Sequence, residues 1–210
     1  MRHGDVAYFD ADGRPVHPES VSLTPEGVEQ ARAAAGALAG VRIDRVVTSG
    51  LPRTLETARL VAPGVEPESL SDLRELEPGR LTDIPADELE QAFVGAFRGP
   101  LPEDRRFLGG ETIGSLLDRV LPALDRLVAD ESWDVLLAVL HGGANRAILS
   151  YALTGGRAFL GGFEQAPGCI NVLDVGDDWI VRAVNVAPYD LAHRGSRETT
   201  MELLWAQYRP

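Results

Sequence analysis

The stretch WDVLLAVLHGGANRAILSYAL, residues 133–153, predicts the centre of the fold. Its apolar run from Val135 to Leu140 is typical of a parallel strand that is buried on both faces. His141 and two glycines follow at once, and the chain then changes to the apolar spacing of a helix. A strand that leads directly into a helix is the repeating unit of an α/β protein.

The same order of strand and helix is predicted on the amino-terminal side of this stretch. Residues 42–49 (RIDRVVTS) predict a short strand, and residues 52–62 predict the helix that follows it. An earlier helix is expected after Thr24, a good N-cap residue with a proline at the first helical position. The other predicted elements are helices over residues 112–127 and within 83–93, and a β-hairpin over residues 169–186.

These elements predict an α/β fold. We expect a three-layer sandwich in which a mostly parallel central sheet has helices on both faces. The chain of 210 residues fits one sizeable domain, so we expect residues 1–210 to form a single unit. Residues 76–110 are irregular and contain several prolines and glycines, and we interpret them as an insertion beside the functional site.

Charge and composition exclude several classes of function. The net charge of −12 argues against nucleic acid and anionic membranes as partners, because both require a basic surface. All 20 basic residues are arginine, so lysine Schiff bases and lysine-dependent phosphate loops are excluded. No apolar run is long enough to span a membrane. Cys169 is the single cysteine, which rules out an internal disulfide and favours a cytoplasmic location.

Polar residues follow the predicted strands at the points where the strands end. His141 follows the buried strand, and Arg53 begins the helix after Ser49. Ligands of open α/β sheets bind at the carboxyl ends of the strands, where helix N-termini favour anions. With Arg2 and His3 near the start of the chain, these side chains are predicted to converge on one phosphate-sized anion.

The residue types suit phosphoryl transfer. Arginine binds phosphate oxygens in pairs and keeps its charge, and a neutral histidine is a nucleophile near neutral pH. Transfer of a phosphoryl group needs mainly positioning and charge stabilisation. A carboxyl group in the site would supply the proton that the leaving oxygen requires.

Five motifs, taken together, resemble a known family. They are RHG at 2–4, SGLPRTLETA at 49–58, LRELEPG at 73–79, GGET at 109–112 and LHGG at 140–143. Their order is similar to that of the histidine phosphatase superfamily, the phosphoglycerate-mutase-like group, and specifically to its branch 1 phosphatases. The segment LTPEGVEQA at 23–31 also resembles the usual first helix of that family.

The resemblance implies a role for each motif residue. His3 would be the nucleophile that becomes phosphohistidine, and Arg2, Arg53 and His141 would hold the phosphoryl oxygens. Glu75 would protonate the leaving group and then act as base toward water. No metal or organic cofactor is implied, since arginines would stabilise the charge. Further residues that could line the substrate pocket are Asp5, Tyr8, Ser49, Glu111, Thr112 and Gly142.

Several of these assignments have structural alternatives. Glu77 could replace Glu75 as the acid, and Ser49 could simply end its strand. Glu111 and Thr112 could form no more than a helix start. A metal site made of His3, His141 and Glu75 is conceivable, although no close pair such as H-x-x-x-H supports it.

Two features depart from the family pattern. Members usually have an apolar strand before RHG, whereas Met1 alone precedes Arg2, so we expect the natural protein to begin upstream. Its intact mass would test this expectation. Val6 stands where the family often has a hydroxyl residue, and no asparagine follows in residues 5–16. Both changes remove expected phosphate ligands.

Hydrolysis of a small phosphomonoester is therefore the predicted function. A phosphoglycerate-mutase-like phosphotransferase is the first alternative, and Arg80, Arg98, Arg105 and Arg106 could hold a second acidic group. The absence of lysine weakens that alternative, because the family mutase has one in this region. A non-catalytic module that binds phosphate is the second alternative, since fold alone does not establish catalysis.

Overall fold

Three parallel strands form the centre of the sheet in the computed structural model, which describes residues 1–195 and 197–208. Their order is β2 (Glu68–Ser69), β1 (Arg45–Thr48) and β3 (Leu136–Val139). Thr48 pairs with both Ser69 and Val139, so the three strands end at the same edge. The side chains that follow these strands are therefore placed close together.

Helices cover both faces of this sheet, as the sequence predicted. Val46 packs with alanines of α1 (Pro25–Ala37) and α2 (Pro52–Val61). Its neighbour Val47 points the other way and packs with leucines of α4 (Ile113–Val128) and alanines of α5 (Gly142–Thr154). The alternation follows from the two-residue period of a strand. The result is a three-layer α/β sandwich.

Helix starts agree with the residues that the sequence singled out. The side chain of Thr24 accepts a hydrogen bond from the Gly27 amide and begins α1. Thr112 accepts one from the Ser115 amide and begins α4. Each bond satisfies an amide that has no partner within the first helical turn.

The first three residues extend the sheet beside β3. The amide of Leu140 donates to the Met1 carbonyl at 2.9 Å, and the His3 amide donates to the Leu140 carbonyl at 3.0 Å. On the other side, the Arg2 amide donates to the Cys169 carbonyl at 3.0 Å. His3 is thereby fixed at the same sheet edge at which β3 ends.

The predicted hairpin is present as β4 (Ile170–Val175) and β5 (Trp179–Val186). The irregular segment contains the short helix α3 (Leu89–Val94), which packs against α6 (Thr200–Gln207). Phe93 of α3 and Met201 of α6 share one buried cluster. Helix α6 was not predicted from the sequence, so its packing on α3 is a new finding.

None of the helices in residues 1–195 and 197–208 combines the length and the apolar character that a membrane span requires.

Candidate active site

A hydrogen bond to the backbone orients the His3 ring and leaves one ring nitrogen to carry a lone pair. Its Nδ1 lies 2.6 Å from the carbonyl oxygen of Gly4, which can only accept, so Nδ1 carries the proton. The lone pair is therefore on Nε2. Burial lowers the pKa of His3 well below its usual value, and the charges of Arg2 and Arg53 add to this effect. The ring is 1% exposed and neutral near pH 7.

His141 lies directly opposite His3 across the sheet edge. Its backbone joins β3 to α5, and the two imidazole rings meet edge to face with centroids 5.2 Å apart. At the other end of the His141 ring, Nε2 lies 2.7 Å from Ser49 Oγ. Burial lowers the pKa of His141, and the nearby His3 and Arg53 lower it further. Both rings are therefore neutral when no anion is bound.

Two buried arginines complete the cluster. Arg2 and Arg53 are 7% and 2% exposed. Their Nη1 groups donate to the carbonyl oxygens of Gln165 and Pro18, each at 2.5 Å. Both Nε atoms are buried and have no hydrogen-bond partner in the part of the chain that the structure describes. Among residues 1–195 and 197–208, no carboxylate forms an ion pair with either guanidinium.

Two buried cations without a carboxylate are energetically unfavourable. Removing a charge from water costs several kcal/mol, and only a counter-charge or strong hydrogen bonds offset that cost. A bound anion would provide both. The positive charges thus indicate a site for a dianion, next to the free Nε2 of His3.

Glu75 is fixed at the start of the helix that follows His141. Its two carboxylate oxygens lie 3.0 and 2.9 Å from the Gly143 amide, which donates to them. A Cβ atom on Gly143 would clash with Glu75 Oε1, so this close approach requires glycine. Glu77, the alternative acid, is exposed. The structure brings Glu75, rather than Glu77, to α5 and the His141 side of the site.

Arg119 of α4 holds the backbone around Glu75. Its guanidinium donates to the carbonyl oxygens of Asp72, Arg74 and Glu75 at 2.6–3.0 Å. Glu111 accepts from the Nε and Nη2 atoms of Arg119, both at 2.9 Å. This bidentate pair orients the guanidinium toward the loop. Glu111 therefore supports the Glu75 loop through Arg119, and Thr112 acts as the cap of α4.

The other predicted pocket residues fall in different places. Asp5 binds Thr24 through its carboxylate at 2.8 Å and braces the start of α1. The Tyr8 ring lies 5.7 Å from the guanidinium carbon of Arg53, so it borders the anion site. Gly142 is the first residue of α5. Ser49 is fully buried, and its hydroxyl oxygen contacts His141 Nε2.

Sequence reasoning missed several residues that support the site. Thr200, the first residue of α6, accepts from Arg2 Nη1 at 2.9 Å and donates to Glu164 at 2.7 Å. The signal for α6 was the sequence Thr-x-x-Glu at 199–202, which forms a capping box. The carbonyl groups of Pro18 and Gln165 have no sequence signal, because every residue has a carbonyl.

A cavity of about 280 Å³ lies beyond this support. Arg98, Arg146 and Glu164 are among its lining residues, whereas His3 and His141 are not. Arg146 lines the cavity and also lies close to the start of α5. Its Nη1 is 3.0 Å from the point that a Cβ atom on Gly142 would occupy. The cavity is adjacent to the reactive groups but distinct from them. No grouping of His, Cys, Asp and Glu suited to a metal ion occurs within the described part of the chain.

Comparison with solved structures supports this fold. The chain is similar to the α-ribazole phosphatase of Shigella flexneri, with a TM-score of 0.69 and 23% identity over 88% of this chain and 94% of that one. It is also similar to a mycobacterial glucosyl-3-phosphoglycerate phosphatase, with a TM-score of 0.65 and 24% identity over 88% and 95% of the two chains.

Sequence comparison identifies the family. A relative named probable phosphoglycerate mutase GpmB, from Serratia proteamaculans, is 32% identical over 164 residues, which cover 73% of each chain. The sequence model of the histidine phosphatase superfamily (branch 1) matches residues 1–186. Because that match runs from the RHG motif through the hairpin that follows the second histidine, the chain belongs to branch 1 of the histidine phosphatase superfamily.

Proposed function

We propose that the protein is a phosphatase that hydrolyses a small phosphomonoester through a phosphohistidine on His3. The observation that carries this proposal is a pair of buried guanidiniums that no carboxylate of the described residues pairs with, beside a histidine whose Nδ1 carries the proton and whose lone pair is on Nε2. A phosphate dianion would supply the missing negative charge. Its phosphorus would then stand within reach of the nucleophile.

In the first step, His3 Nε2 attacks phosphorus while the bond from phosphorus to the ester oxygen breaks. Arg2, Arg53 and His141 stabilise the charge on the phosphoryl oxygens. Glu75 gives its proton to the leaving alcohol. The Gly4 carbonyl accepts from Nδ1, so it stabilises the positive charge that develops on the imidazole.

In the second step, water attacks phosphorus and the bond from phosphorus to His3 breaks. Glu75 takes a proton from the attacking water, and inorganic phosphate leaves. The fixed arginine charges provide the electrostatic stabilisation in both steps, so we propose metal-independent catalysis. The single buried thiol of Cys169 agrees with our proposal of a reducing, cytoplasmic setting.

Transfer to a second hydroxyl is the alternative, and the name of the Serratia relative favours it. A mutase must also hold a second acidic group of its substrate. Arg98 and Arg146 line the cavity beside the site, but Glu164 and Glu202 line it too. This balance of charges makes the cavity a weak holder of a second anion, so we favour hydrolysis.

A phosphate-ester panel, beginning with p-nitrophenyl phosphate, tests the proposal. We expect release of inorganic phosphate by the wild type and its loss in His3→Ala. The matched control is His17→Ala, because His17 is an exposed histidine outside the site. Transfer of phosphate to a second hydroxyl without release would favour the mutase. Phosphate binding without turnover of any ester would favour a non-catalytic module.

A further inference from the structure

A chain of buried hydrogen bonds runs behind His141, and each of its protons can be assigned. It starts at Arg53, whose Nη2 lies 3.4 Å from His141 Nδ1 and can only donate. It ends at Thr54, whose hydroxyl donates to the Leu51 carbonyl at 2.8 Å. A carbonyl only accepts, so the single hydroxyl proton of Thr54 is used there.

The direction of the two bonds in between follows from these ends. Ser49 Oγ lies 3.1 Å from Thr54 Oγ1, and Ser49 must donate because the Thr54 proton is already used. The single hydroxyl proton of Ser49 is then also used. His141 Nε2, at 2.7 Å from Ser49 Oγ, must therefore be the donor. Neutral His141 carries its proton on Nε2 and its lone pair on Nδ1.

In this tautomer the ring presents a lone pair, and not a proton, to a bound anion. The lone pair on Nδ1 is on the Arg53 side of the ring, where we place the phosphoryl oxygens, and those oxygens can only accept. Moving the proton from Nε2 to Nδ1 would require Ser49 to donate to Nε2. Ser49 has no second proton to give while Thr54 holds the first. Gaining a proton on Nδ1 removes the conflict. The hydrogen bond from Arg53 Nη2 to Nδ1 is then lost, and both groups donate to the anion instead.

We propose that Ser49 and Thr54 are positioning residues that keep the His141 proton on Nε2, so that binding of a tetrahedral dianion is accompanied by uptake of one proton onto Nδ1. The proton comes from solvent and forms one new N–H bond. The resulting imidazolium donates to Ser49 on one side and to the anion on the other. This inference rests on the proposed anion site and adds a proton-linked binding step to it.

The charges around His141 explain why the ring would gain a proton only when the anion binds. Four positive or potentially positive groups face it from three segments of the chain, and the Glu75 carboxylate is held at the start of α5. Burial, together with those positive groups, lowers the pKa of His141 in the free protein. A bound dianion offsets the positive charge around the ring and raises that pKa. The groups concerned are Arg2, His3, Arg53 and Arg119.

Calorimetry with sulfate tests this proposal directly. Sulfate is a tetrahedral dianion that does not titrate near neutral pH, so proton uptake must occur on the protein. Binding heats in two buffers of different ionisation enthalpy, at one pH, give the number of protons. We expect about one proton per sulfate in the wild type, the number that the hydrogen-bond assignment requires.

Three variants identify the residue that gains the proton. Uptake should disappear in His141→Asn and persist in His3→Ala. Sulfate binding without uptake in the wild type, or uptake that depends on His3 alone, would overturn the proposal. Complete failure of sulfate and phosphate to bind would overturn the proposed function as well, which distinguishes the two. Thr54→Val frees the Ser49 proton for Nε2, so sulfate should bind with less than half of the wild-type uptake.

Thr54→Ser is the matched control, because it keeps the hydroxyl and should keep the full proton count. If Thr54 acted only in packing, the valine variant would take up as many protons as the wild type. Nitrogen-15 NMR of the wild type gives a test that needs no variant. The signals of His141 should show a protonated Nε2 and an unprotonated Nδ1, and the opposite tautomer would overturn the assignment.

Discussion

The two ends of β1 treat arginine in opposite ways. At the amino end, Arg45 binds the carboxylates of Glu68 and Asp130 at 2.6 and 2.7 Å, with its side chain 24% exposed. Beyond the carboxyl end, Arg53 is 2% exposed and binds the Pro18 carbonyl together with His141 Nδ1. Among the described residues, carboxylates pair with the arginine at the amino end of β1, and none pairs with Arg53 beyond its carboxyl end.

This difference distinguishes an arginine that is paired within the fold from one whose charge can bind a ligand. A paired, partly exposed arginine such as Arg45 adds little to stability and has no charge left for a ligand. A buried arginine without a carboxylate costs stability and keeps its charge for an anion that arrives later. The carboxyl end of the sheet is therefore the end at which a ligand is expected, as in other open α/β sheets.

Replacing one arginine at each end should give the largest contrast. Arg53→Met removes a charged donor from the phosphoryl oxygens, so kcat/KM should fall by about 10³-fold. Arg45→Met should keep activity within about twofold and lower Tm by no more than about 2 °C. Steady-state kinetics and thermal melts measure both. Equal losses of activity in the two variants would contradict the comparison.

Gly143→Ala should reduce kcat next most strongly. The added methyl group would displace the Glu75 carboxylate, and loss of a positioned acid costs about 10²-fold or more. Gly36 of α1 provides the control, because a Cβ there meets no atom within 4 Å. Gly36→Ala should keep activity and stabilise the protein by about 0.5–1 kcal/mol. An unchanged kcat in Gly143→Ala would argue against Glu75 as the acid.

Phosphate should stabilise the folded protein only by binding beyond the carboxyl end of β1, where Arg53 lies. At 100 times its Kd, a ligand adds about 2.7 kcal/mol to the free energy of unfolding, which is a rise in Tm of about 5–10 °C for a chain of this size. Arg45→Met should keep that rise, and Arg53→Met should lose most of it. An equal rise in both variants would place the anion elsewhere.

The pH dependence of stability should show a smaller effect of the buried histidines. Their folded-state pKa values are lowered, whereas the unfolded chain has the usual value near 6.5. Below that pH the unfolded chain binds protons that the folded chain excludes, so the free energy of unfolding should fall as pH falls. Urea unfolding in buffers that contain no phosphate or sulfate measures this slope.

Two variants separate the source of that slope. His3→Gln should flatten the fall in stability below about pH 6.5, since one excluded proton is removed. His17→Gln is the matched control, because His17 is exposed and lies outside the buried pair of histidines. A slope in His3→Gln as steep as that of the wild type would show that the buried histidine is not its origin.

Much of the fold and the site could be predicted from local sequence. The apolar run of β3 and the proline-led start of α2 follow from short-range rules of burial and capping. The convergence of Arg53 and His141 follows because parallel strands end at one edge of the sheet. His3 was placed beside them by its motif and not by a predicted strand. These predictions needed no information about distant contacts.

The remaining features depend on contacts that sequence does not encode locally. The carbonyl groups of Pro18 and Gln165 bind the arginines, and no residue type marks such a role. Asp5 was predicted to line the pocket, and the hydrogen bond that its carboxylate accepts from Thr24 has no signal in the local sequence. Helix α6 had a readable signal in Thr199 and Glu202, although its packing on α3 could only come from the fold.

Identification of the phosphorylated residue tests the central claim most directly. The wild type would be quenched in alkaline denaturant during turnover of a phosphomonoester, digested, and analysed by mass spectrometry. We predict one phosphoryl group on His3 Nε2. More of it should accumulate in Glu75→Gln with p-nitrophenyl phosphate, because that leaving group needs no proton whereas the second step still lacks its base. Turnover with no phosphate on the peptide that contains His3, or with phosphate on a different residue, would contradict the account.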